Sequence, residues 1–230
     1  MIKAVIFDLD DTLISEKEYI ESGYRHISKI LSNKLNIGEK IIYKLLFELL
    51  SINSKNVLNR LLDRIGVSYT NEDILGLVTE YRAHHPNISF FNDVIPILEH
   101  LKKNNIKTGI ITDGYANAQR QKLNAVNALK YFKEVIVTDE LGRDFWKPHP
   151  KAFEVMRDKL SVEYDEMMYV GDNPEKDFYI GKVIPIKTVR IIRKQSIYKD
   201  KKYLYGHKEN HMIDSLGNLI QLLIYMESKD

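Results

Sequence analysis

Two aspartates separated by one residue, Asp8 and Asp10, close a short apolar run, Ile2-Lys3-Ala4-Val5-Ile6-Phe7, and Thr12 follows them. Three further polar islands come after apolar runs: Thr112-Asp113-Gly114, the loop around Lys147, and Gly171 through Asp177, which includes Asp172 and Asn173. If each run is a strand of one open parallel sheet, the islands meet beyond the carboxyl ends of the strands, where such sheets bind ligands. Asp8, Asp10, Asp172 and Asp177 then share a small space with Lys147 as the offsetting cation. At ~4 Å and an effective dielectric of ~20, each like-charge pair costs about 4 kcal/mol, so the set calls for a bound cation. All-oxygen ligands favour Mg2+, which shares its sphere with water and a substrate phosphate.

These parts suit phosphoryl transfer, which needs an in-line nucleophile, a proton donor for the leaving oxygen and positive groups around the equatorial oxygens. Asp8 can attack phosphorus and form an acyl phosphate, while Asp10 can protonate the leaving group and then activate water. Mg2+, Lys147, the Thr112 hydroxyl and the backbone N–H groups near Asp113 and Gly114 would stabilise the developing charge.

The elements that must position these residues are legible as a rhythm. Short β-prone runs at 2–7, 106–111, 134–138, 167–170 and 186–191 alternate with helical patterns at 93–103, 115–129, 150–160 and 174–181. That alternation predicts a doubly wound α/β domain with a Rossmann-like parallel sheet. From about 16 to 84 no strand is apparent. Ile41, Ile42, Leu45, Leu46, Leu49 and Leu50 recur at the helical period, so 39–51 should bury one stripe. Thr70 and Asp73 resemble a capping box, and Gly66 suits the end of the preceding helix. Met212, Ile213, Leu216, Leu219, Ile220 and Leu223 predict a final amphipathic helix, with the last few residues frayed.

Composition narrows the function classes. The chain has 230 residues, 44% of them hydrophobic, and its 34 Lys and Arg nearly cancel 32 Asp and Glu. A net charge of +2 points to no polyanionic partner. The absence of cysteine excludes thiolate nucleophiles and Cys-ligated zinc and fits a reducing compartment. No apolar stretch approaches the ~18 residues of a membrane span, so a cytoplasmic protein without a membrane partner is expected, as monomer or homodimer.

Phe7-Asp8-Leu9-Asp10-Asp11-Thr12-Leu13 resembles the Asp-x-Asp-x-Thr signature of the haloacid dehalogenase-like hydrolase superfamily. Thr112-Asp113-Gly114, Lys147 in Lys-Pro-His-Pro, and the Gly-Asp-x-x-x-x-Asp of 171–177 resemble the other three motifs, in order. The resemblance implies a phosphatase acting on a small phosphorylated metabolite, such as a nucleoside monophosphate or a sugar phosphate, with Mg2+ on the Asp8 carboxylate, the Asp10 backbone carbonyl and the Asp172 carboxylate. It implies that Asp177 orients Lys147 or a metal-bound water. It also implies a hydrolase core at 1–15 and 91–230 and a C1-type helical cap at 16–90. Asp11 stands where glycine is common and His149 where aspartate is common.

Other readings compete. A phosphomutase uses the same two aspartates, whereas a dehalogenase has no need for the acid Asp10. A phosphonate hydrolase would need a cap amine, for which Lys17, Lys29, Lys34, Lys40, Lys44 and Lys55 are available. A non-catalytic polyanion-binding protein could use Arg190, Arg193, Lys194, Lys199, Lys201 and Lys202 among Tyr198, Tyr203 and Tyr205. The plainer reading of that segment is a solvated loop, which argues against nucleic acid. His84 and His85 read as exposed helix-end imidazoles and Trp146 as packing. Glu16, Lys17 and Tyr19 are possible substrate contacts.

Overall fold

The first apolar run becomes β1 (Ala4–Phe7), and all of its side chains are fully buried, which suits a strand covered on both faces. The computed structural model describes every residue except 195, 197, 199, 229 and 230. After β1 come α1 (Glu16–Leu35), α2 (Glu39–Ile52), α3 (Val57–Arg64), α4 (Asn71–Ala83) and α5 (Val94–Lys103). They are followed by β2 (Lys107–Thr112), α6 (Ala116–Ala125), β3 (Glu134–Val137), α7 (Lys151–Leu160) and β4 (Met167–Gly171). The chain ends with α8 (Ile180–Val183), β5 (Lys187–Ile191), β6 (His211–Ile213) and α9 (Asn218–Glu227).

The six strands form one parallel sheet in the order β3-β2-β1-β4-β5-β6. The order reverses beside β1, so the crevice where ligands bind in such folds lies at the carboxyl ends of β1, β2 and β4. Helices pack on the sheet through apolar stripes: Val94, Ile97, Leu98 and Leu101 on α5, and Ala152, Phe153, Met156 and Leu160 on α7. The fold is thus the doubly wound α/β class.

The chain divides into two compact units, Met1–Glu16 with Ser89–Asp230, and Lys17–Ile88. The second is all helical. Its core gathers Tyr24, Ile27 and Leu31 with Ile42, Leu46, Leu58 and Leu61. Of the α2 stripe, Ile42 and Leu46 are buried, while Ile41 is exposed. Thr70 and Asp73 make the reciprocal capping box that starts α4, and Gly66 has the left-handed φ of +72° that ends α3. His84, expected to be exposed, is buried: its Nδ1 lies 2.6 Å from the Tyr81 carbonyl and its ring stacks on His26. His85 is exposed as expected.

Two other expectations need correction. Residues 174–181 are mostly not helical, because Asn173 forms a local turn instead: its Oδ1 accepts from the Glu175 N–H and its carbonyl from those of Lys176 and Asp177. Met212 and Ile213 belong to the edge strand β6, and the last helix begins only at Asn218. Leu216, Leu219 and Leu223 are buried as the stripe required. The frayed end was expected at residues that include 229 and 230, which lie outside the described set.

The basic segment is not simply a solvated loop. Arg193 is buried and donates to both carboxylate oxygens of Asp93, at 2.7 and 3.0 Å, and to the Thr12 carbonyl at 2.8 Å. Arg190, also buried, donates to the Tyr203 hydroxyl and the Tyr198 carbonyl. Lys199 lies outside the described residues.

Asp93 also accepts from the Leu216 N–H, so it joins α5 to the C-terminal segment. Burial pushes its carboxyl up, but the Arg193 and Leu216 hydrogen bonds more than reverse this and hold it below the usual 3.8. A depressed carboxyl stabilises the fold above its unfolded value and loses that contribution as pH falls through the folded value. The urea midpoint of Asp93→Asn should therefore lie below wild type at pH 7, and the gap should close below about pH 4. A gap that stays constant through acid would show that the charge plays no part.

Candidate active site

Where β1 ends, Asp8 is fixed by its own N–H, which donates to the Val170 carbonyl of β4 at 2.8 Å. Its carboxylate meets Lys147, whose Nζ donates to Asp8 Oδ1 at 2.5 Å, to Asp177 Oδ1 at 2.8 Å and to the Tyr169 hydroxyl at 2.8 Å. The Lys147 ammonium is fully buried. Burial would lower its pKa, but Asp177 and Asp8 outweigh that and raise it well above 10.5. Lys147 is therefore a permanent cation.

Asp172 leaves the end of β4 nearby, and one carboxylate oxygen from each of Asp8, Asp172 and Asp177 falls within 4.8 Å of the others. One lysine cannot balance three such groups. Burial, then Asp177 and Asp8, push the Asp172 carboxyl up to about 9, despite a 3.0 Å hydrogen bond from the Ser196 hydroxyl. Burial raises Asp8 to about 7 against the pull of Lys147. For Asp177 burial acts upward too, but Lys147 prevails and keeps it low. A divalent cation would relieve this crowding, and a dry set of carboxylate oxygens suits a hard cation.

Local backbone geometry explains the glycines. A Cβ on Gly171 would sit 2.6 Å from Asp177 Oδ2, so only glycine lets that carboxylate fold back to accept from the Asn173 N–H at 2.9 Å. Gly114 has φ +136°, a conformation few other residues adopt. Asp11 takes the left-handed φ of +51° and accepts from the Glu16 N–H at 3.1 Å, a conformation aspartate tolerates better than most side chains. Thr12 is fully buried.

Thr112 ends β2 and is fully buried. Asp113, which enters the sequence reading through its backbone N–H, uses its carboxylate as a brace. It accepts from the Thr138 hydroxyl at 2.7 Å and from the Lys147 N–H at 3.1 Å, which ties the loop of Lys147 to β2. The Asn173 side chain likewise shapes its own loop rather than reaching the carboxylates.

Asp10 points elsewhere than Asp8. Its Oδ1 accepts from Lys122 Nζ at 2.7 Å and its Oδ2 from Gln119 Nε2 at 2.9 Å. Burial raises its pKa, and Lys122 with Gln119 brings it back below 3.8. Gln119 and Lys122 were not anticipated. No sequence signal marks them: the face of α6 formed by Ala118, Gln119, Lys122 and Leu123 is buried only by its placement in the fold. Lys176 was also missed; its Nζ lies 3.5 Å from Asp113 Oδ2.

Comparison with known proteins gives the family. The model of the family described as haloacid dehalogenase-like hydrolase matches residues 5–191. The chain belongs to this family. Among curated relatives, the glyceraldehyde 3-phosphate phosphatase of Methanopyrus kandleri is 32% identical over 202 residues, covering 84% of this chain and 85% of its own. The pyrophosphatase PpaX of Bacillus cereus is 28% identical over 227 residues, covering 96% of each. Among solved structures, the phosphatase of the same superfamily from Thermococcus onnurineus superposes with a TM-score of 0.62 at 28% identity, covering 96% of this chain and 98% of its own. This haloacid dehalogenase-like hydrolase is an enzyme of the phosphatase class. Among its described residues no helix is long and apolar enough to cross a membrane.

Proposed function

We propose that this enzyme is a Mg2+-dependent phosphomonoesterase that turns over a small phosphorylated metabolite through an aspartyl phosphate on Asp8. The observation that supports this best is the buried group of Asp8 and Asp172, at the ends of the adjacent strands β1 and β4, with Lys147 and Asp177. The Asp8 and Asp172 carboxylates and the Asp10 backbone carbonyl would hold the ion. When bound, Mg2+ would neutralise crowded carboxylates and polarise a phosphoryl oxygen.

The chain's own groups supply the rest. A carboxylate oxygen of Asp8 bonds to phosphorus as the bond to the ester oxygen breaks; Asp10, a carboxylate between Lys122 and Gln119 in the free enzyme, takes up a solvent proton as the substrate dianion enters its field and gives it to that oxygen. The Asp10 carboxylate then takes a proton from the water that attacks the acyl phosphate, which releases phosphate and restores Asp8. Lys147, oriented by Asp177 and Tyr169, and the Thr112 hydroxyl with the backbone at Asp113 and Gly114 face the equatorial oxygens. Thr12 and Asn173 shape the loops that carry the acids. The helical unit follows the first motif in chain order, and we assign it the cap role of selecting the substrate. The names of the relatives favour a sugar phosphate such as a triose phosphate, or pyrophosphate.

Phosphate release from glyceraldehyde 3-phosphate, pyrophosphate, nucleoside monophosphates and an aryl phosphate tests the reading. Turnover of at least one is expected with Mg2+ and none with EDTA; a wild type inert on all of them would sink it. Magnesium is also expected to raise the Tm of wild type, since a ligand at 100 times its Kd stabilises by about 2.7 kcal/mol. The same titration on Asp172→Asn should give a much smaller rise. Equal rises in the two proteins would place the ion elsewhere.

A further inference from the structure

The second aspartate of the first motif is not positioned by its own loop. Asp10 is gripped on both carboxylate oxygens from α6: Lys122 donates to Oδ1 at 2.7 Å and Gln119 to Oδ2 at 2.9 Å. The same Gln119 amide nitrogen donates to Thr112 Oγ1 at 2.5 Å. Gln119 and Lys122 are themselves buried, at 2% and 5% exposure. Burying a lysine and a glutamine on the face of α6 that also holds Ala118 and Leu123 is costly unless each polar group finds a partner. Apolar side chains there would pack the helix without that cost.

We infer that Gln119 and Lys122 are positioning residues for the proton donor: they fix the Asp10 carboxyl against the Thr112 hydroxyl, so that α6 sets where the acid meets the leaving oxygen. This rests on the proposed phosphatase reading, in which Asp10 takes up a proton as the substrate dianion binds and hands it to the ester oxygen as the phosphorus bond breaks. Two donors on two different oxygens leave the carboxyl little freedom to rotate. Because Gln119 binds Asp10 and Thr112 through one nitrogen, the acid and the phosphate-binding hydroxyl are held in one frame. The lysine adds charge attraction to a geometry the glutamine defines.

The test is the dependence on leaving group. Wild type, Lys122→Met, Lys122→Arg and Gln119→Leu are compared on a phenyl phosphate series whose leaving phenols range from poor to good, with Mg2+ present. A misplaced acid should reduce kcat/KM, which reports the step that expels the phenol and not the later hydrolysis of the acyl phosphate, by about 100-fold on the poorest leaving group and hardly affect it on the nitrophenyl ester, whose phenolate departs without a proton. KM should change little, and Lys122→Arg should recover much of the loss. Gln119→Leu carries the test if Lys122→Met does not fold. A uniform loss of kcat/KM across the series, or a change confined to KM, would overturn the inference while leaving the phosphatase reading intact. A wild type that hydrolyses no ester overturns both.

Discussion

Asp8→Asn is expected to lose phosphate release by about four orders of magnitude or more and to unfold at a higher temperature than wild type. The two effects have one cause. The carboxylate at the end of β1 is buried against Asp172 and Asp177, and burial leads the forces that raise its pKa to about 7. A carboxyl raised above its ordinary 3.8 makes the fold less stable as pH climbs through the interval between the two values. In metal-free protein, the advantage of the amide should therefore be absent below about pH 4, grow towards pH 7 and then level off. An amide has the right shape to accept from Lys147, which keeps Asp177 as its second partner. Activity is read by phosphate release and stability by thermal unfolding in EDTA across pH. Residual activity within tenfold of wild type would remove Asp8 from the nucleophile's role, and a destabilised variant would mean that its pairing with Lys147 outweighs the repulsion.

Lys147→Met should be the more damaging change to the fold. It removes the ammonium that two buried carboxylates and a buried tyrosine hydroxyl all engage. Breaking a buried pair from one side costs about 3–5 kcal/mol, because the remaining charge keeps its desolvation penalty. At roughly 2–4 °C per kcal/mol for a chain of this size, the Tm should drop by about 10 °C, with activity lost as well. Adding Asp177→Asn to Lys147→Met should recover part of the Tm, since the uncompensated charge is then removed, and none of the activity. A Tm within about 2 °C of wild type for the single variant would contradict the account of Lys147 as the cation the cluster folds around.

How much could be read in advance depended on whether a signal was local. The runs that became β1 and β4 are apolar on consecutive residues because both faces of a central parallel strand are covered. The capping box at Thr70 and the left-handed Gly66 were legible for the same reason, since each is decided within a few residues. The edge strand β6 was not. It has three residues, only one of them buried, and Met212 and Ile213 fit a helical period with Leu216 and Leu219. The segment after Asp172 reads as helix by composition, but the Asn173 side chain competes for the backbone and wins. At the site, the acids and Lys147 stood out because such residues seldom follow strands together. Gln119 and Lys122 did not, because a polar residue on a helix ordinarily faces water, and only the tertiary placement of α6 turns that face inward.

Chain order at the sheet's centre also sets when the site can exist. β1 is the first strand in sequence, but its two neighbours, β2 and β4, begin about 100 and about 160 residues later. Asp8 therefore waits for Thr112 on one side and Asp172 on the other, and Lys147 arrives between them. A partly assembled sheet presents an isolated carboxylate with neither its lysine nor its fellow acids. The crowded carboxylates therefore meet only once both long-range pairings of β1, with β2 and with β4, have formed. Their crowding is thus a property of the finished sheet rather than of any one segment.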